Sequence, residues 1–353
     1  MFDSWDRLYY HPRVNGISDF QLKIKGDDTR ISLFALDGRA EVWRKDSDAS
    51  IVWYCDKEFL IRSFRREMDA NGRKFFSAGG VGLLHFLTRR LCIPSSGEVT
   101  NISAVAADTA IYNLVDANCG SGAAAARQIT GLSLVAASGV ASSVSRDVRR
   151  NEYLFSVCQE LASAARGAGT GVDFDIYGIG KDSTLGIAAF KFKTYSPYLG
   201  SSKIAGAAGA VIFSLGFDNI ISPAYSDDRT AEVNYVYAGG AGEGVSKLIQ
   251  ETSGIGTADS TWNRLEAWVD AQDQFDTASL TSISRAYMRN SGRQRTLDFT
   301  ALDSQGYRYG RDWFVGDYVT ARYDDQEVNA QVIGAVITVT ANGESLLPEL
   351  STV

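Results

Sequence analysis

Two histidines, His11 and His85, are the chain's whole supply of imidazole, the side chain that most often acts as a general base near neutral pH. His85 and Cys92 lie seven residues apart within a predicted helix, residues 80–92, whose apolar residues recur at helical spacing. A Cys–His pair on one short helix has no third group to orient the base, so we expect His85 to pack in a core or an interface. His11 stands in a predicted loop, and we expect it to face solvent. Neither histidine has a Gly-x-Ser-x-Gly elbow, a catalytic-cysteine signature or a His-Glu-x-x-His motif around it.

Paired carboxylates are a second possible source of acid–base chemistry, because glycosidases place two of them beside the scissile bond. Asp173 and Asp175 alternate on a predicted strand and therefore share a face, as do Glu266 and Asp270, which are four residues apart. We interpret both pairs as solvated strand faces. The separation of the carboxylates in space decides between this interpretation and a glycosidase-type site.

Two loops carry residues of the kind that bind ions. Asp324, Asp325 and Glu327 form an acidic turn that has the oxygen ligands of a weak cation site, and we interpret it as a hydrated turn. Residues 239–244 read GGAGEG but lack the Gly-Lys-Ser/Thr end of a phosphate-binding loop and a predicted helix directly after them. We predict a flexible hairpin or bulge there.

The net charge of −7 argues against a nucleic-acid surface, since neutralising phosphates requires clustered Lys and Arg. A small basic cluster, Arg62, Arg65 and Arg66, stands out against this acidic background at the end of a predicted strand. It suggests contact with an acidic protein partner.

The four cysteines have no Cys-x-x-Cys or Cys–His spacing, which argues against a zinc site and predicts buried free thiols in a reducing cytoplasm. The sequence therefore predicts no catalytic residue, no metal site and no cofactor, and hence a protein that is not an enzyme. We see no signal peptide, and no apolar run approaches the roughly 20 residues that a membrane helix needs.

Strand-like alternation with turn signals dominates the two ends of the chain, while helical spacing dominates the middle. We predict an α+β, β-rich fold of three parts. Residues 1–94 form a first β domain, an antiparallel sheet or barrel that includes the helix 80–92, and residues 95–195 form an inserted α+β domain. Residues 196–353 form a second, related β domain with a short helix at 277–290.

Residues 293–323 concentrate aromatic residues and glycines between two strand-like runs. We predict that these runs face each other as a hairpin, with Tyr307, Tyr309 and Gly310 in the turn.

Several segments together resemble one known family. They are Arg13-Val14-Asn15-Gly16 with DFQLKI and GRAEVWRK behind it, AGGVGLLHFLTRRL at 78–91, NYVYAGGAGEG at 234–244, RLEAWVDAQD at 264–273 and RYGRDWFVGDYVTARY at 308–323. The combination resembles the tail-tip or baseplate hub proteins of siphovirus-type bacteriophages, which are similar to the central hub of contractile tails. A Gly/Thr/Ser-rich segment in 246–262 departs from that pattern.

The resemblance implies that residues 1–94 and 196–353 are two tube-like β-barrel domains, the second closed by the strands within 293–323. It also implies a homotrimer that matches threefold to sixfold symmetry. It implies a structural virion protein that caps the tail tube, connects it to distal tip or fibre proteins and forms a channel for genome delivery. The implied partners are the tail tube protein or distal tail protein ring, the tip, spike or fibre proteins and the tape measure protein, without sequence-specific nucleic-acid binding or a membrane span. The implied location is the tail tip of the particle, after synthesis in the bacterial cytoplasm.

Two alternatives stay open at this point. A tail-associated cell-wall hydrolase or endopeptidase needs a carboxylate or Cys–His pair that meets in a cleft. A carbohydrate-binding receptor module needs some of the six tryptophans and sixteen tyrosines to form an exposed platform.

Overall fold

The computed structural model describes residues 5–45, 53–181, 188–254, 262–302, 304 and 306–352. Its strands are β1 Arg7–His11, β2 Asp19–Lys25, β3 Arg39–Arg44, β4 Tyr54–Met68, β5 Lys74–Gly82, β6 Val99–Ala106, β7 Leu132–Leu134, β8 Ser143–Arg149, β9 Asp173–Lys181, β10 Ala188–Tyr195, β11 Ser202–Lys203, β12 Ile212–Ser214, β13 Ile220–Asp228, β14 Tyr235–Gly239, β15 Ile249–Ser253, β16 Glu266–Asp270, β17 Gln294–Ala301, β18 Tyr318–Tyr323, β19 Gln326–Thr340 and β20 Gly343–Thr352. Its helices are α1 His85–Thr88, α2 Ala107–Cys119, α3 Leu154–Gly167 and α4 Thr277–Asn290. The prediction of a β-rich fold with helices in the middle is confirmed.

The chain divides into two compact units. Unit 1 comprises Met1–His85, Gly200–Ser226 and Arg295–Val353, and unit 2 comprises Phe86–Leu199 and Asp227–Gln294. Residues 227–294 thus group with the middle of the chain. The predicted three-part division at residues 94 and 195 groups the residues differently and stays a prediction.

Unit 1 is organised by a twelve-stranded sheet with the order β13-β17-β20-β19-β1-β2-β5-β4-β3, in which β18 pairs with β19, β11 and β12. Strand β1 lies between β2 and β19, with Tyr10 opposite both Phe20 and Ile337. The first and last strands of the chain therefore belong to one sheet. No sheet among the described residues closes into a barrel, and the two predicted barrels stay a prediction.

The core of unit 1 collects aromatic side chains from strands that are distant in sequence. Trp313 is fully buried, and its ring meets Phe213 edge-on at 5.3 Å and Tyr309 at 5.0 Å between centroids. Phe213 in turn packs against Phe299 at 4.9 Å. Trp313 Nε1 donates a hydrogen bond to the Tyr307 carbonyl at 2.9 Å, so the buried indole has its polar atom paired.

The predicted hairpin within 293–323 is wrong. Strand β17 pairs with β20 and lies next to β13, whereas β18 pairs with β19, β11 and β12. The residues between β17 and β18 do not form a simple turn, because Tyr309 and Trp313 bury their rings in the core. Each strand satisfies its backbone groups with a partner that lies elsewhere in the chain.

The predicted helix 80–92 is also wrong in extent. Strand β5 runs through Gly79, Gly80 and Val81 to Gly82 and lies between β2 and β4, and α1 has only four residues. A Cβ on Gly80 would come within 2.7 Å of the Leu60 carbonyl oxygen, so the glycine permits close approach of β4. The pairing of β5 with both β2 and β4 makes these residues a strand, although the leucines that follow recur at helical spacing.

Unit 2 contains three small sheets, β6-β8, β7-β10-β9 and β15-β14-β16, together with α2, α3 and α4. Helix α4 has the bounds that its apolar spacing predicts, and the Asp276 side chain caps it by accepting from the Ser279 N–H at 2.8 Å. The side chain of Gln274, just before α4, bonds both the N–H and the carbonyl of Asp147 on β8, at 2.9 and 3.0 Å. Within the described residues, no helix is long and apolar enough to cross a membrane.

Candidate interaction surface

His11 lies at the end of β1 and is only 2% exposed, so the prediction that it faces solvent is wrong. Its Nε2 lies 3.0 Å from Glu349 Oε2 and its Nδ1 lies 2.9 Å from Arg13 Nη2. Glu349 is on β20, opposite Gly334 of β19, and a Cβ on Gly334 would come within 3.1 Å of His11 Nε2. The imidazole therefore links β1 to β20 across Gly334 and stabilises the sheet.

His85 and Cys92 do not share a helix, because α1 ends at Thr88. Cys92 is buried, and burial raises the pKa of its thiol to about 12. Burial also raises the pKa of Cys55 and of Cys119 to about 12 and that of Cys158 well above its ordinary value. All four are free, and at neutral pH they are thiols and therefore poor nucleophiles.

The two carboxylate pairs have structural partners. Asp173 is fully buried, where its Oδ1 accepts from Arg166 Nη2 at 2.6 Å and its Oδ2 accepts from the Leu199 N–H at 2.8 Å. Glu266 and Asp270 are at opposite ends of β16, separated by roughly 13 Å of strand, which exceeds the spacing of a glycosidase pair. Neither pair has the geometry of an acid–base site.

The acidic turn lies between β18 and β19, where Asp324 adopts a φ of 55° and Glu327 is bonded by Arg322 Nε at 2.5 Å. Within the part of the chain that the structure describes, no cluster of three or more His, Cys, Asp or Glu residues forms a metal site. Residues 239–244 connect β14 to the antiparallel β15, which confirms the predicted hairpin.

A polar network that the sequence analysis missed lies inside unit 1 around Asp56 on β4. Asp56 Oδ2 accepts from the Tyr10 hydroxyl at 2.7 Å, and Oδ1 accepts from the Tyr309 hydroxyl at 3.0 Å. Arg44 of β3 donates to the Tyr10 hydroxyl at 2.8 Å and lies 5.1 Å from the centre of the Tyr309 ring. The partners of Asp56 are 46 and 253 residues away in sequence, so no local motif signals the network.

Burial dominates the electrostatics of this network. It raises the pKa of Asp56, with the nearby Arg44 acting in the opposite direction. Burial likewise raises the pKa of Tyr10 and Tyr309 well above the ordinary phenol value. The network holds strands β1, β3 and β4 and the segment around Tyr309 together; it has no nucleophile and no open cleft, so we assign it to the fold.

The second half of β4 is a candidate interaction surface. Strand β3 pairs with β4 only as far as Leu60, opposite Arg39, whereas β5 pairs with β4 through Met68. Residues Arg62–Met68 therefore have a strand on one side and, among the described residues, none on the other. We call these residues the β4 edge.

The β4 edge is exposed and basic. Arg62 is exposed and pairs with Asp37, and Arg65 is exposed and lies 3.3 Å from Glu67. Arg66 packs its guanidinium over the Phe76 ring at 6.0 Å. Exposed Phe64 and Met68 add apolar surface between the arginines. An open backbone edge with mixed basic and apolar side chains is the arrangement that pairs with a strand or surface of another chain.

The fold resembles those of two tail proteins with solved structures. A tail protein from Neisseria meningitidis MC58 superposes with a TM-score of 0.56 and 14% identity over 98% of this chain and 91% of that chain. The 43 kDa tail protein of prophage MuSo2 from Shewanella oneidensis superposes with a TM-score of 0.59 and 11% identity over 99% of this chain and 95% of that chain. No curated protein sequence matches the chain significantly. The predicted resemblance to phage tail proteins is confirmed at the level of the fold.

A match to a protein-family model assigns the chain to a family more directly than these distant structures do. The model of the siphovirus ReqiPepy6 Gp37-like protein matches residues 1–350, nearly the whole chain. The chain therefore has the fold of phage tail proteins and belongs to the siphovirus ReqiPepy6 Gp37-like protein family.

Proposed function

We propose that this chain is the tail-tip or baseplate hub of a phage, a structural protein and not an enzyme. In this proposal it forms a homotrimer that caps the tail tube or distal tail protein ring on one side. On the other side it binds tip, spike or fibre proteins, and the tape measure protein and the genome pass through the channel. The family membership and the tail-protein fold support this assignment, and the partnered state of the candidate catalytic residues favours a structural role.

The β4 edge is the observation that carries the proposal. A soluble chain that leaves seven residues of a long strand open, from Arg62 to Met68, has a template for pairing with another copy. The rest of each copy supplies acidic groups to meet the arginines, because the chain has a net charge of −7. Repeating the same contact around a threefold axis closes a ring.

In this proposal the sheet of unit 1 forms the tube-like part of the ring. Strands β3 and β13 end the sheet order within the described residues, and a neighbouring subunit would continue the sheet at such edges. The two barrel domains of the sequence prediction are part of the same proposal and remain to be tested in the assembled particle.

The location test is electron microscopy of intact particles labelled with an antibody against this chain. We expect label at the tail tip and three copies in the tip density. Label on the capsid or along the tube, or a copy number that is not a multiple of three, contradicts the proposal.

The interface test is the double variant Arg65→Glu/Arg66→Glu, compared with Arg150→Glu, an exposed arginine of unit 2 that pairs with Glu98. Native mass spectrometry and particle assembly provide the readouts. We expect the double variant to fold and to lose trimer or incorporation into tails, while Arg150→Glu assembles normally. Normal assembly of the double variant would show that the β4 edge is not the subunit contact.

A further inference from the structure

The sheet β15-β14-β16 in unit 2 has one covered face and one open face. Val236 and Ala238 of β14 are fully buried and pack against Leu280 of α4. Side chains alternate along a strand, so Tyr235 and Tyr237 point the other way, away from the helix. The flanking strands follow the same pattern, with every second residue exposed.

The open face is a row of aromatic rings. Tyr235 and Tyr237 lie 5.3 Å apart between ring centroids, and Trp268 of β16 is in register beside Tyr237. Trp268 is 52% exposed, and a Cβ on Gly239 would lie 2.3 Å from its Cζ2. The first glycine of the GGAGEG segment therefore leaves the space in which the indole ring lies against the sheet.

Charged side chains hold these rings in place. The Arg264 guanidinium lies 3.6 Å from the centre of the Tyr235 ring and donates to the Tyr237 hydroxyl at 3.1 Å. The Tyr235 hydroxyl donates to Glu251 at 2.7 Å. Lys247 lies 5.6 Å from the centre of the Trp268 ring. We call this array, formed by Tyr235, Tyr237, Glu251, Arg264 and Trp268, the aromatic platform.

Four of the charged groups on and beside the platform form two ion pairs. Arg264 Nε lies 2.5 Å from Glu266, and Lys247 lies 3.6 Å from Asp270, so no strong unbalanced field remains to attract a phosphate or a highly charged protein. The matching ligand is uncharged, with apolar faces for the rings and hydroxyl groups for the carboxylates and the guanidinium.

The size and shape of the platform narrow the choice of ligand further. Three strands of five residues cover roughly 240 Å² of sheet, well below the roughly 800 Å² that each partner contributes to a stable protein interface. The platform is an open sheet face, whereas small-molecule sites are concave. A narrow, open row of rings instead fits a segment of an extended polymer.

We propose that the aromatic platform binds a neutral oligosaccharide, with Trp268 and Tyr237 stacking on successive sugar rings and Glu251, Glu266 and Arg264 bonding their hydroxyl groups. This inference stands independently of the hub assignment, because it rests on unit 2 alone. It would give the protein a contact with a surface glycan in addition to its place in the tail.

The test is isothermal titration calorimetry of the full chain with three neutral probes at millimolar concentration: cellohexaose, maltohexaose and hexa-N-acetylchitohexaose. We expect at least one probe to bind wild type. Trp268→Ala should weaken that binding roughly tenfold or more, which is about 1.4 kcal/mol or more, because it removes the ring on which a sugar stacks. Trp268→Phe, which keeps a smaller ring, should weaken it less.

Trp43→Ala, which removes a half-exposed tryptophan of unit 1, is the matched control and should bind like wild type. Circular dichroism checks that each variant is folded. Failure of all three probes to bind wild type overturns the proposal, as does unchanged affinity in Trp268→Ala. Binding of hexagalacturonate without any neutral probe overturns the neutral-ligand assignment. Self-association that Trp268→Ala abolishes, seen by sedimentation velocity without sugar binding, makes the platform a contact between copies.

Discussion

The Asp56 network in unit 1 and the aromatic platform in unit 2 are built from the same contacts and differ in exposure. Each has a tyrosine hydroxyl that donates to a carboxylate at 2.7 Å, Tyr10 to Asp56 and Tyr235 to Glu251. Each has an arginine near a tyrosine ring, Arg44 at 5.1 Å and Arg264 at 3.6 Å. Residue types alone therefore do not distinguish a stabilising cluster from a binding surface.

Exposure decides what such contacts do. In the Asp56 network, losing one partner leaves a polar group buried without compensation, so the contacts are needed for folding. On the platform, water replaces any lost partner, so the same contacts order the rings at little gain in stability. The following predictions test this difference, beginning with the largest expected effect.

The two tryptophans give the sharpest test. Trp313→Ala should lower the free energy of unfolding by about 3–5 kcal/mol, because it empties a fully buried site in the core of unit 1. Trp268→Ala removes a half-exposed ring and should change it by less than about 1 kcal/mol. Urea titration followed by circular dichroism measures both. Equal losses would mean that the platform is part of a core.

The two tyrosine hydroxyls come next. Tyr10→Phe removes a buried donor to the Asp56 carboxylate and should cost about 1.5–3 kcal/mol of unfolding free energy. Tyr235→Phe removes an exposed donor to Glu251, and we expect an unchanged midpoint of thermal unfolding. A lower midpoint in Tyr235→Phe than in Tyr10→Phe would contradict the expectation that the buried hydroxyl contributes more to stability than the exposed one.

Two glycine-to-alanine substitutions compare the surroundings of the Tyr54 ring in unit 1 with those of the Trp268 ring on the platform. Gly310 has a φ of +81°, and a Cβ there would lie 1.6 Å from the Tyr54 hydroxyl, so Gly310→Ala should cost about 1–2 kcal/mol for the backbone alone. Gly239→Ala meets Trp268 and Lys247, which can move into solvent, and should cost less. Chemical denaturation of the two alanine variants side by side compares the costs; a larger loss for Gly239→Ala would argue against a surface site.

The pH dependence of stability separates the two sites by a different measurement. Burial raises the pKa of Asp56 above the value of about 3.9 in an unfolded chain, so the folded protein binds this proton more tightly. The contribution of Asp56 to stability is then fully present below about pH 4 and is lost as the pH rises toward the folded pKa. The asparagine side chain of the Asp56→Asn variant does not titrate, so this variant does not lose that contribution to stability as the pH rises.

The measurement is the difference in unfolding free energy between wild type and Asp56→Asn at several pH values from 4 to 7. It should fall by about 1.4 kcal/mol for each unit by which the folded pKa is raised. A difference that grows with pH would mean that Arg44 outweighs burial.

Local patterns in the sequence predict the fold only where local contacts decide it. Helix α4 has its predicted bounds because its cap at Asp276 and its apolar stripe lie within one segment. The helix 80–92 was wrong because Gly79–Gly82 pair with β2 and β4, which no local pattern reveals. The hairpin between β17 and β18 failed for the same reason, since both strands have partners elsewhere.

The candidate surfaces were predictable in part. The basic cluster at Arg62, Arg65 and Arg66 was visible in the sequence, but the open edge beside it depends on where β3 stops pairing. The aromatic platform was visible only as alternating Tyr235 and Tyr237. Whether such alternation faces a core or solvent depends on the strand and helix neighbours, which lie far away in the sequence.

The pairing of β1 with β19 bears on how the chain folds as it is synthesised. Tyr10 pairs with Ile337, so β1 has no partner on that side until β19 has left the ribosome. Both segments of unit 2 emerge before β19 does, and they can fold while the sheet of unit 1 still waits for its last strands. Closing such distant contacts is slow, and it leaves the edge of β1 open to other nascent chains in the meantime. We therefore expect translation rate and chaperone supply, more than the final stability, to limit the yield of assembled protein.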